Sequence, residues 1–212
     1  MKKIPASAPS TRTTLSDTAR RAPRALLLRA DLQLCVLVVA LMAAAEWAMG
    51  RVPYCSCGYV KLWHGVVMSS ENSQHFTDWF TLTHIMHGVG FYFLLWLLNK
   101  KTRLSFGTLL LLAVLLECGW EALENTPWII DRYRTATVSL DYYGDSVLNS
   151  VSDVLAMVTG FVLAKKAPVW VSIAVTATLE LLLMYFIRDG LILNVLMLIH
   201  PVESIRIWQS GA

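Results

Sequence analysis

Charge is what this chain has least of. Charged residues make up 16% of its 212 residues, and hydrophobic residues 56%. No soluble module large enough to fold alone is visible, and no internal repeat. The strings G-x-S-x-G, H-E-x-x-H, the P-loop and the dinucleotide fingerprint are all missing, which removes the chemistries those motifs carry. Cysteine is sparse, at four residues. Acidic residues and histidines are nearly absent from one half of the chain's polar segments, and that absence organises the reading.

Apolar runs close to the ~20 residues needed to cross a bilayer recur along the chain. They are Leu32–Met49, Leu82–Leu98, Leu104–Leu123, Val147–Ala164 and Val169–Ile187. A sixth run, Leu191–Ile199, is too short for a straight crossing and reads as surface-lying or half-inserted. The expected fold is an all-α integral membrane bundle of five transmembrane helices, with a sixth left open. Residues 1–31, rich in Ser, Thr, Pro, Ala and Arg, are expected to be a disordered basic cytoplasmic tail, and residues 32–212 a single domain. A cleaved signal peptide is the alternative; the long charged leader and Glu46-Trp47 favour an uncleaved anchor.

Twelve of the eighteen basic residues fall before the first span, between spans two and three, or between spans four and five. The positive-inside rule makes that side the cytoplasm, with the N-terminus in, the C-terminus periplasmic and the chain in a cell (inner) membrane. All five histidines and all acids except Asp17 and Asp31 then lie in outer loops or the outward part of a span. Loop acids need no explanation beyond the exclusion of basic residues. Acids inside spans do, because an ionisable group there costs roughly 2.5–3.5 kcal/mol on insertion scales.

Span two carries His84-x-x-His87, two imidazoles on one helix face. Span three ends with Glu117, Glu121 and Glu124 on one stripe, and span four opens with Asp145, Asn149 and Asp153 on another. Glu180 lies inside span five. Carboxylates on facing helices repel and call for a positive partner: a divalent metal, a protonated His84 or His87, or Arg132, Arg134 or Arg188 folding inward. The candidate metal ligands are His84, His87, Glu117 and Asp153, and the mixed His–carboxylate set suits Zn, Mn or Fe. Glu121 is the candidate general base, with His75 and Asp145 as further catalytic candidates. Glu71, His75 and Asp78 have helical spacing, so residues 69–79 read as an outer-leaflet helix or re-entrant lid, with an ordinary solvated loop as the alternative. Glu46, beside Trp47, is expected to reach headgroups and water. Cys55-Ser-Cys57 is expected not to pair with itself, since a disulfide across one residue is strained; a metal site there is the alternative. Cys35 and Cys118 read as ordinary buried residues.

Several of these strings carry a resemblance. Cys55-Ser-Cys57-Gly58, Trp63-His64-Gly65, Ser70-Glu71-Asn72-Ser73-Gln74-His75, Asp78-Trp79, His84-x-x-His87-Gly88, Glu121-x-x-Glu124-Asn125 and Gly144-Asp145-Ser146-x-x-Asn149-Ser150-x-x-Asp153 resemble an uncharacterised multi-pass inner-membrane family of alphaproteobacteria, a domain of unknown function. The resemblance covers roughly residues 46–190. It implies a cell-membrane location and no activity. A looser likeness is to VanZ-like membrane proteins, which also place a His early in one span, a Glu late in the next and an Asp…Asn-rich start in the one after. Here Thr81-Leu82-Thr83 stands where those proteins usually carry an acidic–lysine pair.

Three functions compete. The first is a periplasm-facing hydrolase or transferase with a metal site, acting on a lipid-linked or phosphate-bearing envelope molecule. The second is a small transporter or ion-binding protein; the nearly all-apolar inner halves of spans two to five disfavour a through-path. The third is a non-catalytic partner in envelope assembly. The partners implied are membrane lipids. The basic tail fits anionic lipid rather than nucleic acid.

Overall fold

The structure, a computed structural model, describes residues 12–137 and 139–211. It is all-helical in those residues: α1 Arg12–Ala48, α2 Thr81–Thr102, α3 Phe106–Glu124, α4 Pro127–Ala136, α5 Val147–Lys166, α6 Val169–Ile187, α7 Leu191–Ile199 and α8 Glu203–Ser210. Five helices are long and apolar enough to cross a membrane: Leu28–Ala48 of α1, and α2, α3, α5 and α6. The protein is a helical membrane bundle. The apolar runs fix these elements to within a few residues, because Lys and Arg punctuate one end of them.

Three expectations change. α1 is helical from Arg12, so residues 12–31, read as a disordered tail, continue the first span as helix. Ala, Arg and Leu dominate that stretch and propagate a helix already nucleated by the apolar run. The start of the expected tail, residues 1–11, lies outside the described residues. Second, residues 69–79 form turns and not a helix. Ser73 takes φ 58°, which no helix tolerates, and Asp78 caps α2 by accepting from Phe80 N (2.8 Å) and Thr81 N (3.3 Å). Third, Cys55 and Cys57 are joined as a disulfide, against the expectation that they would not pair. The chain turns sharply there, with Cys57 N donating to Cys55 Sγ and Gly58 at φ +85°. Two sulfurs bonded to each other offer no thiolates, so the metal alternative for this pair falls with it. Cys35 and Cys118 are free and buried, as expected.

The pair that positions the site is α2 with α5. A Cβ added at Gly88 would collide with Met157 O, and one added at Gly160 with Ile85 O. Two glycines thus let the backbones touch, the small-residue packing that membrane helices use in place of a hydrophobic driving force. Both helices start at the same end, so His84 of α2 comes level with Asp153 of α5. α3 runs back antiparallel beside them. Gly88→Ala must push the helices apart, a loss of at least the ~1–3 kcal/mol typical of overpacking. The expected result is a clearly lower melting point of the purified protein in detergent. A wild-type melt would contradict this close approach.

Candidate functional site

At the end of the bundle away from Lys100, Lys101, Lys165 and Lys166, α2, α3 and α5 present their polar stripes to one another. Glu117 is fully buried and receives both imidazoles. His84 Nδ1 lies 2.6 Å from Glu117 Oε1, and His87 Nδ1 lies 3.2 Å from Glu117 Oε2. One carboxylate therefore orients two rings, each through Nδ1. The Nε2 atoms of both rings have no hydrogen bond among the described residues. His84 Nε2 is 3.9 Å from Asp153 Oδ2.

These distances separate two kinds of contact. Two donors each about 2.1 Å from a shared ion lie roughly 3 to 4.2 Å apart. The 2.6 Å contact of His84 with Glu117 is too short for that and is a hydrogen bond. The 3.9 Å contact with Asp153 fits it.

Next along the site, Glu121 Oε1 sits 3.3 Å from His84 Nδ1. That is ion-pair distance without hydrogen-bond geometry, and Oε1 has no hydrogen-bond partner. Asp153 Oδ1 has none either. Glu121, Glu124 and Asp145 form a further group whose carboxylate oxygens lie within 4.8 Å of one another. Asp145 is held by Asn125 Nδ2 (2.9 Å) and the Tyr142 hydroxyl (3.2 Å), and its backbone N donates to Asn125 Oδ1 (2.7 Å). Burial pushes the Asp145 carboxyl up to about 6, although the hydrogen bond from Asn125 opposes the rise. Burial also raises Asp78, against the backbone N–H groups it accepts from.

His84, His87, Asp153, Glu124 and Asp145 line a pocket of about 60 Å³, walled on its apolar side by Phe80, Trp120, Leu191 and Val195. At 10–15 Å³ per water this holds roughly four to six waters, or an ion with its hydration shell. α7 forms one wall. It is pinned at its start by Glu180, which accepts from Leu191 N and Ile192 N, and at its end by Arg132, which donates to Leu198 O and Ile199 O. Tyr133 donates to Asn194 Oδ1 of α7.

The sequence-derived candidates sort as follows. His84, His87, Asp153 and Asp145 line the pocket, and Glu117 and Glu121 pack directly behind it. His75 is not brought there. Its Nδ1 accepts from Lys61 N (3.3 Å) and its Nε2 lies 3.0 Å from Glu71, in a separate outer-loop cluster. Lys61, first, with His75 and Tyr59 holds the Glu71 carboxyl down at about 2. Asn149 binds the His75 carbonyl instead of facing the pocket. Glu180 is a cap for α7 and not a pocket group. Glu46, expected at the headgroups, is fully buried with neither carboxylate oxygen hydrogen-bonded. It follows Cys35 and Met42 on the α1 face that packs on α3. Glu124 reaches the pocket as its place on the 117–121–124 stripe implies; Asn125 and Tyr142, which hold Asp145, are the residues that spacing did not single out.

The inward-folding arginines are also resolved. Arg132 is spent on α7, Arg134 on Leu140 O and Arg188 on Trp208 O. Arg51 donates to Tyr143 O, Lys61 pairs with Glu71 and Arg206 with Glu203. All six outward basic residues are therefore engaged elsewhere, and none forms an ion pair with Glu117, Glu121, Glu124, Asp145 or Asp153.

Residues 46–211 match the family described as "Protein of unknown function (DUF2585)". The chain belongs to that family. The matched stretch contains every pocket residue named above. The chain is 53% identical over 191 residues to a "UPF0314 protein" of Paracoccus denitrificans, covering 89% of this chain and 98% of that protein. It is 54% identical over 177 residues to a UPF0314 protein of Rhizobium johnstonii, covering 84% and 90%. A UPF0314 protein of Novosphingobium aromaticivorans is 51% identical over 166 residues, covering 77% and 84%. No solved structure matches the chain. The resemblance to an uncharacterised alphaproteobacterial family thus holds, whereas the likeness to VanZ-like proteins rests on no match.

Proposed function

We propose that this family member is a cell-membrane enzyme whose periplasm-facing divalent-metal centre hydrolyses, or transfers a group from, a lipid-linked phosphate-bearing envelope molecule. One observation carries the reading: Glu117 holds His84 and His87 through Nδ1, leaving His84 Nε2 3.9 Å from Asp153, with His84, His87 and Asp153 all lining one pocket. A carboxylate behind a ligating histidine is the usual supporting arrangement at metal sites. His84, His87 and Asp153 would hold the ion, Zn, Mn or Fe by donor chemistry, and Glu117 would align the rings. The sequence reading made Glu117 a ligand; its 2.6 Å hydrogen bond favours the supporting role. The ion would supply Lewis acidity and lower the pKa of a water. In hydrolysis the water oxygen adds to phosphorus and the bond from phosphorus to the leaving oxygen breaks. Glu121 accepts the water's proton, which ends on the leaving alcohol; in transfer an acceptor hydroxyl replaces water. The apolar wall of Phe80, Trp120, Leu191 and Val195 suits a lipid-linked substrate.

Elemental analysis of the full chain purified in detergent is expected to find at least one equivalent of a transition metal, and His87→Ala to lose it. Metal-free wild-type protein after loading and desalting would overturn the reading.

The distribution of Lys and Arg supports an N-terminus in the cytoplasm and a periplasmic C-terminus. Reporter fusions after Lys101 and Lys166 should then report cytoplasm, and fusions near Tyr142 periplasm. The reverse pattern would turn the pocket to the wrong side for an envelope substrate.

A further inference from the structure

We infer that the site has a second cation seat, formed by Glu121, Glu124 and Asp145, so that the centre binds two divalent ions side by side. The inference rests on the proposed metal centre and extends it. Three oxygens of these residues lie within 4.8 Å of one another, and Glu121 also belongs to the His84–Glu121–Asp153 group. Glu121 is therefore common to the two groups. It is 1% exposed, and its Oε1 has no hydrogen-bond partner, an orphaned acceptor inside a buried carboxylate cluster. Glu124 and Asp145 open onto the same pocket as His84 and Asp153.

Charge balance points the same way. Glu117, Glu121, Glu124, Asp145 and Asp153 converge, and no lysine or arginine ion pair reaches any of them among the described residues. Ligating imidazoles are neutral. With all five ionised, one divalent ion would leave three negative charges in a buried site; a second leaves one. Uncompensated buried charge is far costlier than a coordinated ion.

The two seats differ in chemistry. The first has imidazole nitrogens and suits Zn, Fe or Mn. The second is all carboxylate oxygen and suits a harder ion, Mn or Mg. Two adjacent ions form the clamp that stabilises both the attacking and the leaving oxygen in displacement at phosphorus. The substrate class is thereby narrowed to phosphate esters. With both seats filled Glu121 is a shared ligand, and the ions themselves activate the water that a one-ion site would need Glu121 to deprotonate.

Manganese serves as a probe for both seats. Chelator-stripped full chain in detergent is loaded with Mn2+, desalted and assayed for bound metal and by electron paramagnetic resonance. Two equivalents with an exchange-coupled spectrum are expected in the wild type. Glu124→Gln/Asp145→Asn should drop to one equivalent with an isolated-ion spectrum, and circular dichroism should confirm its fold. One equivalent in the wild type, lost in His87→Ala, overturns the second seat and leaves the first standing. No bound manganese overturns both. Should the double variant fail to fold, the wild-type count and coupling still decide.

Discussion

Glu121→Gln is expected to abolish complementation of a deletion phenotype, while Glu46→Gln restores it at equal membrane abundance. Both carboxylates are buried near the outward end of a span, so burial does not distinguish them. Their surroundings do. Glu121 lies 3.3 Å from His84 and shares a carboxylate group with Glu124 and Asp145. With His84 protonated the two form a buried pair, and removing one member of such a pair costs about 3–5 kcal/mol because the other is left uncompensated. Whether Glu121 takes a proton or bridges two ions, an amide cannot replace it. Glu46 makes no hydrogen bond and does not line the pocket. An isosteric amide there removes no interaction the site uses. An active Glu121→Gln with a dead Glu46→Gln would move the site away from the α2–α3–α5 pocket.

Glu117→Gln is expected to weaken metal binding by about 10–100-fold without changing how many ions bind at saturation, the range for loss of a supporting partner. The carboxylate has two acceptors for two rings. The amide keeps one acceptor and turns a donor toward the other Nδ1, so one imidazole must rotate or change tautomer. Competition titration of the purified variant against a chelator of known affinity measures the shift. Loss of a whole equivalent at saturation would instead make Glu117 a ligand, as the residue pattern alone suggested.

How legible these features were depends on whether local sequence decides them. The spans were legible because an apolar run bounded by Lys100-Lys101 or Lys165-Lys166 has one reading. The facing of His84 and His87 toward Glu117, and of His84 toward Asp153, followed from helical spacing plus tight turns. The outer loop was misread since Glu71, His75 and Asp78 share the period of a helix. Yet the Glu71–His75 contact forms across turns, and Asp78 serves the next helix. Asn125 and Tyr142 come to hold Asp145 through the path of residues 125–146, a tertiary outcome that no periodicity encodes. The burial of Glu46 depended on which face of α1 meets α3, and an almost uniformly apolar helix does not announce that.

The parallel contact of α2 with α5 through Gly88 and Gly160 has an electrostatic consequence. Both helices begin at the same end, tied to one loop: Asp78 caps α2, and Ser146, the N-cap of α5, donates its backbone N to Ser73 O. Two helix N-termini, each equivalent to about half a positive charge, therefore point at the same polar region. Oriented peptide dipoles supply a fixed positive field where no lysine or arginine among the described residues forms an ion pair with the buried carboxylates. That field holds Asp78 and Asp145 at the rim, and it makes the mouth of a carboxylate-lined pocket hospitable to an anionic headgroup. Together the two termini amount to about one charge, less than five ionised carboxylates deeper in would carry.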